Sequence, residues 1–228
     1  MKPVALITGG ARGIGRAIAT ELATDHHVVV TYNATQPDDL LRDCPDILAL
    51  PADLSAPDAA RQIIDQVMDR LGTLDIIVNN AGAIAMDDAN PMATLAVNLG
   101  APMALLDAAL PHLKRGASVI NISSINADLP AMGAVGYSAS KAALNTWTRG
   151  MAKTLGPKGI RVNAIAPGAI ERVESPRPPE LVKAFVDMTA LGRSGTPQDI
   201  ANVVRFLATD ASGFITGETI KVSGGYRL

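Results

Sequence analysis

Val4-Ala5-Leu6-Ile7-Thr8-Gly9-Gly10-Ala11-Arg12-Gly13-Ile14-Gly15 is the stretch from which the rest of the chain can be read. Val4 to Thr8 is a short apolar run of the kind that forms a buried strand. Glycines follow without a spacer, and an amphipathic helical pattern runs from Arg16 to Ala23. Strand, glycine turn and helix in that order are the context of a dinucleotide loop. Glycine admits positive φ and lets a ligand approach the backbone. A helix start offers unpaired N–H groups and a positive dipole end to a pyrophosphate. The spacing, Gly9-x-x-x-Gly13-x-Gly15, differs from the Gly-x-Gly-x-x-Gly of the commonest fingerprint. A plain glycine-rich turn is the competing reading.

Downstream, a second strand, Val28 to Tyr32, ends in Thr31-Tyr32-Asn33. An NAD site usually places a carboxylate near this strand end to bind the adenosine ribose. None stands here, and Arg12 in the glycine loop could pair with a 2′-phosphate. NADP is therefore expected over NAD, with Asn33 beside the adenosine; a solvated surface charge is the alternative for Arg12. A third strand, Ile47 to Leu50, leads to Asp53-Leu54. Asp53 either faces an adenine or favours the next helix start, where Ser55 reads as an N-cap ahead of Pro57. That helix runs to about Arg70 and Gly72 closes it. Leu74 to Val78 is a fourth strand, followed by Asn79-Asn80-Ala81-Gly82, at a strand's carboxyl end where open α/β sheets bind ligands.

Pro91 to Leu113 is helical in pattern, with Asn98 in its middle, a poor interior residue unless it finds a partner. Ala117 to Ile122 is a fifth strand ending in Ser123-Ser124. A helical run spans Tyr137 to Leu155, and Ile160 to Ile165 is a sixth strand, broken by Pro167-Gly168. Glu171 to Pro179 is polar and proline-rich and reads as a lid, with a short helix around Glu180 to Met188. Thr196-Pro197 starts a last helix to about Thr209. Thr219 to Val222 is the final strand, ended by Gly224-Gly225. Strands and helices alternating from end to end argue an α/β fold, a doubly wound parallel sheet of about seven strands covered on both faces.

Composition bounds the function. The 228 residues are 48% hydrophobic and 18% charged, which suits a single domain over 1–228. A net charge of −2 without a basic block argues against nucleic acid and against a polybasic membrane patch. The single Cys44 cannot form an internal disulfide and carries no spacing signal. No signal peptide fits ahead of Val4, and no apolar run nears the ~18 residues of a membrane helix. A cytoplasmic protein is expected, and no metal site is read.

Tyr137-Ser138-Ala139-Ser140-Lys141 carries the chemistry. Residues four apart on a helix share a face, so Tyr137 and Lys141 project together. A phenol can protonate a carbonyl that is becoming an alcohol, but its ordinary pKa is near 10. An ammonium beside it is expected to lower that value toward the range a general acid needs.

Taken together, Thr8-Gly9-x-x-x-Gly13-x-Gly15, Asp53, Asn79-Asn80-Ala81-Gly82, Asn98, Ser124, Tyr137-x-x-x-Lys141 and Pro167-Gly168 resemble the short-chain dehydrogenase/reductase family, in order and nearly end to end. The resemblance implies a Rossmann-like fold and NADP-dependent reduction of a carbonyl to a secondary alcohol. It makes Tyr137 the acid, Ser124 the residue that holds the carbonyl oxygen, and Lys141 the residue that tunes Tyr137 and binds the nicotinamide ribose. Asn98 would anchor a water that resupplies protons. Gly9, Arg12, Gly13, Ile14, Gly15, Asn33, Asp53, Leu54, Asn80, Ala81, Gly82, Pro167, Gly168 and Ile170 would line the cofactor.

The chain departs from the family's pattern in two places. Arg172 stands where a threonine often binds the nicotinamide carboxamide, which leaves that task to backbone near Ile170. The 83–97 stretch is also short, which opens the substrate entrance. Gly192-Arg193-x-Gly195-Thr196-Pro197 makes the chain look most like 3-oxoacyl-acyl-carrier-protein reductases, with Arg115 and Lys158 where a carrier would dock or as plain surface charges. The alternatives are an alcohol, sugar or steroid dehydrogenase of the same family, or a non-catalytic dinucleotide sensor. The resemblance also implies a homodimer or homotetramer, built through the helices holding Asn98 and Tyr137 and through the C-terminal strand. Trp147 and Met151 belong to that interface or to the core.

Overall fold

A computed structural model describes residues 2–84, 86 and 90–227. In chain order its elements are β1 (Val4–Ile7), α1 (Gly13–Leu22), β2 (His27–Tyr32), α2 (Asp38–Asp43), β3 (Leu48–Pro51), α3 (Ala59–Leu71) and β4 (Ile76–Asn79). There follow α4 (Pro91–Leu95), a π-helical turn (Ala96–Gly100), α5 (Ala101–Ala109), β5 (Ser118–Ile122), α6 (Val135–Leu155) and β6 (Arg161–Pro167). The chain ends with α7 (Pro179–Asp187), α8 (Pro197–Ala208) and β7 (Thr219–Val222).

The strands form one sheet in the order β3-β2-β1-β4-β5-β6-β7, and every pair is parallel. Both faces are buried, which is why the strands read as continuous apolar runs. Alternate residues feed opposite layers. Val4 and Leu6 of β1 join a cluster with Ile63, Ile64 and Val67 of α3, Leu105 and Leu106 of α5, and Leu155 of α6. Ala5 and Ile7 join the other cluster, with Ile18 and Leu22 of α1 and Ile200, Val204 and Leu207 of α8. Trp147 and Met151 pack, partly buried, against the first cluster. The sheet winds outward in both directions from β1 and β4. Strand order reverses there, which opens a crevice at their carboxyl ends.

Several boundaries differ from the sequence expectation for local reasons. Helix α1 begins at Gly13, because the glycine turn itself enters the helix. Helix α2 was not expected; it is six residues long and buries only Leu40, too little for a periodic stripe. Ser55 is not an N-cap. Its N–H and hydroxyl both donate to Asp53 Oδ1, at 2.9 and 2.7 Å, and α3 starts later, after Asp58. The long helix expected over Pro91–Leu113 is interrupted by the π turn and ends at Ala109. One helical run among the described residues, Pro91–Ala109, does reach membrane-spanning length, with mean hydropathy 1.4. It qualifies by length and composition only, and it packs on α3 and α6.

Candidate active site

The crevice is a cleft of about 450 Å³ lined by the loops after β1, β2, β4, β5 and β6. Its floor is the glycine loop, with Gly9 at φ +67° and Gly13 at φ +55°. Glycine is required at Gly15 for space: a Cβ there would run into the Gly9 carbonyl oxygen. Side chains lace this loop to its neighbours. Asn80 Nδ2 donates to the carbonyls of Thr8 (2.8 Å) and Gly9 (3.0 Å). Thr8 Oγ1 accepts from the backbone N–H of Asn80 and of Ala81, both at 3.0 Å. Thr31 Oγ1 accepts from Gly9 N–H at 3.2 Å. Residue Arg12, extended ahead of α1, makes no side-chain cap. The first turn of α1 thus keeps its N–H groups free of a side-chain cap, beside glycines that let a dinucleotide diphosphate approach the backbone.

The structure brings together most of the residues expected to line a cofactor. Gly9, Arg12, Gly13, Ile14, Gly15, Asn33, Asn80, Ala81, Gly82, Pro167, Gly168 and Ile170 all line the cleft, with Ser124, Tyr137 and Lys141 at one end. Asp53 and Leu54 are not among its lining residues. Asp53 is exposed and folded back on Ser55, whose two hydrogen bonds hold its carboxyl below the usual range against a small opposing effect of burial. Tyr32, Ala34, Thr35, Ile84, Arg172, Glu174 and Arg177 line the cleft without having been expected there. Arg172 carried a signal in the sequence as a departure from the threonine often found at its position, and Glu174 and Arg177 only as members of the 171–179 segment read as a lid. Four residues of the shortened 83–97 stretch, 85 and 87–89, lie outside the described residues.

At the other end of the cleft, helix α6 presents Tyr137 and Lys141 one turn apart. The Ser124 hydroxyl, at the end of β5, hydrogen-bonds the Tyr137 hydroxyl. Ser124 Oγ also accepts from Asn126 N–H at 3.1 Å, which fixes its rotamer. Lys141 Nζ donates to the Ile122 carbonyl at 2.8 Å and lies 5.8 Å from the Tyr137 ring centroid. Only 4% of Lys141 is exposed, and burial pushes its ammonium down to about 8. The fold does not give the expected acidification of the phenol. Burial raises Tyr137 above its ordinary value, and the opposing influences are the Ser124 hydroxyl and the charge of Arg172. A buried phenol loses solvation of its anion, and that loss outweighs the Ser124 hydrogen bond and the Arg172 charge.

Asn98 is 1% exposed and lies beneath this end of the cleft. Its Oδ1 accepts from Ala83 N–H (2.8 Å), and its Nδ2 donates to Ala83 O (2.9 Å) and to Ser140 Oγ (2.9 Å). A Cβ added at Gly82 would sit 3.3 Å from Asn98 Oδ1 and 3.6 Å from Lys141 Nζ. Asn98 therefore props the loop after β4 beside the ammonium. The π turn that carries it is the distortion often found where a helix serves a site.

The comparisons agree with this geometry. The family profile described as enoyl-(acyl carrier protein) reductase matches residues 9–227. A 3-oxoacyl-[acyl-carrier-protein] reductase of Staphylococcus aureus is 33% identical, over 99% of this chain and 98% of its own. A glucose and ribitol dehydrogenase of Daucus carota is also 33% identical, over 97% of this chain and 84% of its own. Among solved structures, a short-chain dehydrogenase/reductase of Serratia marcescens superposes with a TM-score of 0.93 at 34% identity, covering 99% of this chain and 98% of that one. A blue fluorescent protein from a metagenomic library, in complex with NADPH, gives 0.93 at 33% identity over the same shares. A dinucleotide floor, a Ser-Tyr-Lys cluster at one end, and these likenesses over nearly the whole length place the chain in the short-chain dehydrogenase/reductase family, as an NAD(P)-dependent oxidoreductase acting on CH–OH and C=O groups.

Proposed function

We propose that this protein reduces a 3-oxoacyl thioester or a related ketone to a secondary alcohol with NADPH. The observation that carries this reading is the convergence of Ser124, Tyr137 and Lys141 in a cleft that Arg12 also lines, with no carboxylate among the lining residues at and after the end of β2. Tyr32, Asn33, Ala34 and Thr35, the lining residues at and after the end of β2, offer no acidic side chain to repel a 2′-phosphate. The solved relative in complex with NADPH supports the same cofactor. When bound, the nicotinamide supplies a hydride. Ser124 hydrogen-bonds the substrate carbonyl oxygen, and Tyr137 gives it a proton. Lys141 holds the ribose hydroxyls and contributes positive charge beside the phenol. Because the Asn98 amide is already engaged, a proton-relaying water would bond its main-chain carbonyl instead.

One unit over 1–228 performs all of this, in the cytoplasm and as a homodimer or homotetramer. Phe214 and Phe206 are exposed near the C-terminal edge of the sheet, which favours a further contact there. Arg115 and Lys158 are exposed ahead of β5 and β6, at the edge opposite the cleft. A carrier protein docked on them would serve the cleft of another subunit.

Purified protein with NADPH and acetoacetyl thioesters or diketones is expected to consume NADPH, and NADH is expected to serve less well. Turnover of polyols and sugars alone would favour the second reading, supported by the glucose and ribitol dehydrogenase relative. Binding of NADPH without turnover across a broad carbonyl panel would favour a sensor and sink the enzymatic reading.

A further inference from the structure

Three guanidinium groups line the cleft, those of Arg12, Arg172 and Arg177. Arg12 lies at the adenosine end. Arg177 is engaged: it donates to Ile170 O at 2.8 Å, lies 3.7 Å from Glu171 and sits over the Phe185 ring at 5.4 Å. Arg172 has no ion pair among the described residues, although it is half-buried in the cleft. A turn closed by Ser175 N–H on the Arg172 carbonyl (3.1 Å) carries both Arg172 and Glu174. Both reach the glycine loop. A Cβ placed on Gly13 would meet Glu174 Oε1 at 2.6 Å and Arg172 Cδ at 3.3 Å. Arg172 thus spans from the middle of the glycine loop toward Tyr137.

We propose that Arg172 anchors the diphosphate of the bound dinucleotide, and that Glu174 holds a competing carboxylate over Gly13 that the diphosphate displaces. This rests on the dinucleotide reading of the cleft and deepens it. An unpaired guanidinium matches the geometry of two phosphate oxygens. A carboxylate in contact with the same loop repels that anion, so the strap must shift as the cofactor enters. Arg172 then becomes the latch that closes the strap over the cofactor. That would explain how the chain dispenses with a threonine at this position.

The test measures dissociation constants of NADPH and of adenosine 2′-monophosphate, which lacks a diphosphate, for the full-length wild type, Arg172→Gln, Arg172→Lys and Glu174→Gln. Arg172→Gln should weaken NADPH by about tenfold or more, with a shallower salt dependence, while leaving the monophosphate unchanged. Arg172→Lys should recover part of the loss. Glu174→Gln should tighten NADPH severalfold. Equal NADPH binding by wild type and Arg172→Gln would overturn the inference, as would equal weakening of both ligands. Weaker binding by Glu174→Gln would overturn the role given to the carboxylate. A wild type that binds no dinucleotide would instead sink the reading of the cleft itself.

Discussion

Burying Lys141 destabilises the charged form of its side chain, and that has a measurable sign. Its proton is held with a pKa of about 8 in the fold, against 10.5 for an exposed lysine. Below about 8 both states carry the proton, and the full desolvation penalty is present. Between about 8 and 10.5 the unfolded chain binds the proton and the native one does not, so stability rises with pH. Relative to Lys141→Met, the wild type should gain about 3 kcal/mol across that window, as an order of magnitude. Urea unfolding of both proteins at several pH values checks this, and parallel profiles would contradict it. The same residues show what the sequence could and could not disclose. A four-residue spacing on a helix places phenol and ammonium together whatever surrounds them, so Tyr137 and Lys141 were legible. Burial sets the proton affinity of Lys141, and burial, the Ser124 hydroxyl and the charge of Arg172 from a distant loop set that of Tyr137, so the expected acidification was not.

At the scale of elements, the glycine loop and the π turn are the pieces the site depends on. Gly15→Ala puts a methyl into the Gly9 carbonyl oxygen and beside Asn80 Nδ2, at 2.5 Å. The loop must shift, and dinucleotide affinity should fall by at least about tenfold. Titration of NADPH with wild type and variant checks this; equal affinity would mean that the loop has slack. Asn98→Ala leaves the N–H and carbonyl of Ala83 and the Ser140 hydroxyl without that partner. It should lower unfolding free energy by about 2–3 kcal/mol, read by urea denaturation, and an unchanged midpoint would remove its propping role. Long helices and buried strands were legible because apolar periodicity repeats over many residues. The π turn was not, since Ala96-Val97-Asn98-Leu99-Gly100 fits an ordinary helix pattern and only the pairing of Asn98 with Ala83 and Ser140 favours the wider turn. Asp53, read as facing either an adenine or the next helix start, accepts from Ser55 locally and does not line the cleft.

On the scale of the whole molecule, parallel order followed from strands alternating with helices, and the crevice followed from the reversal at β1 and β4. That the 171–178 segment covers the crevice was legible in its polar, proline-rich composition, but which of its side chains enter the cleft was not, because the strap packs by tertiary contact rather than by a repeating pattern. On the proposed reading, the glycine-loop half of the cleft holds a dinucleotide and the half with Ser124, Tyr137 and Lys141 transfers a proton. Those halves should be separable by one atom. In Tyr137→Phe the hydroxyl is gone while the ring still fills its place on α6. NADPH binding and NADPH-dependent ketone reduction, measured side by side in that variant and the wild type, are predicted to show retained binding with turnover lowered by about 10²-fold or more. Near-normal turnover in Tyr137→Phe would contradict the account.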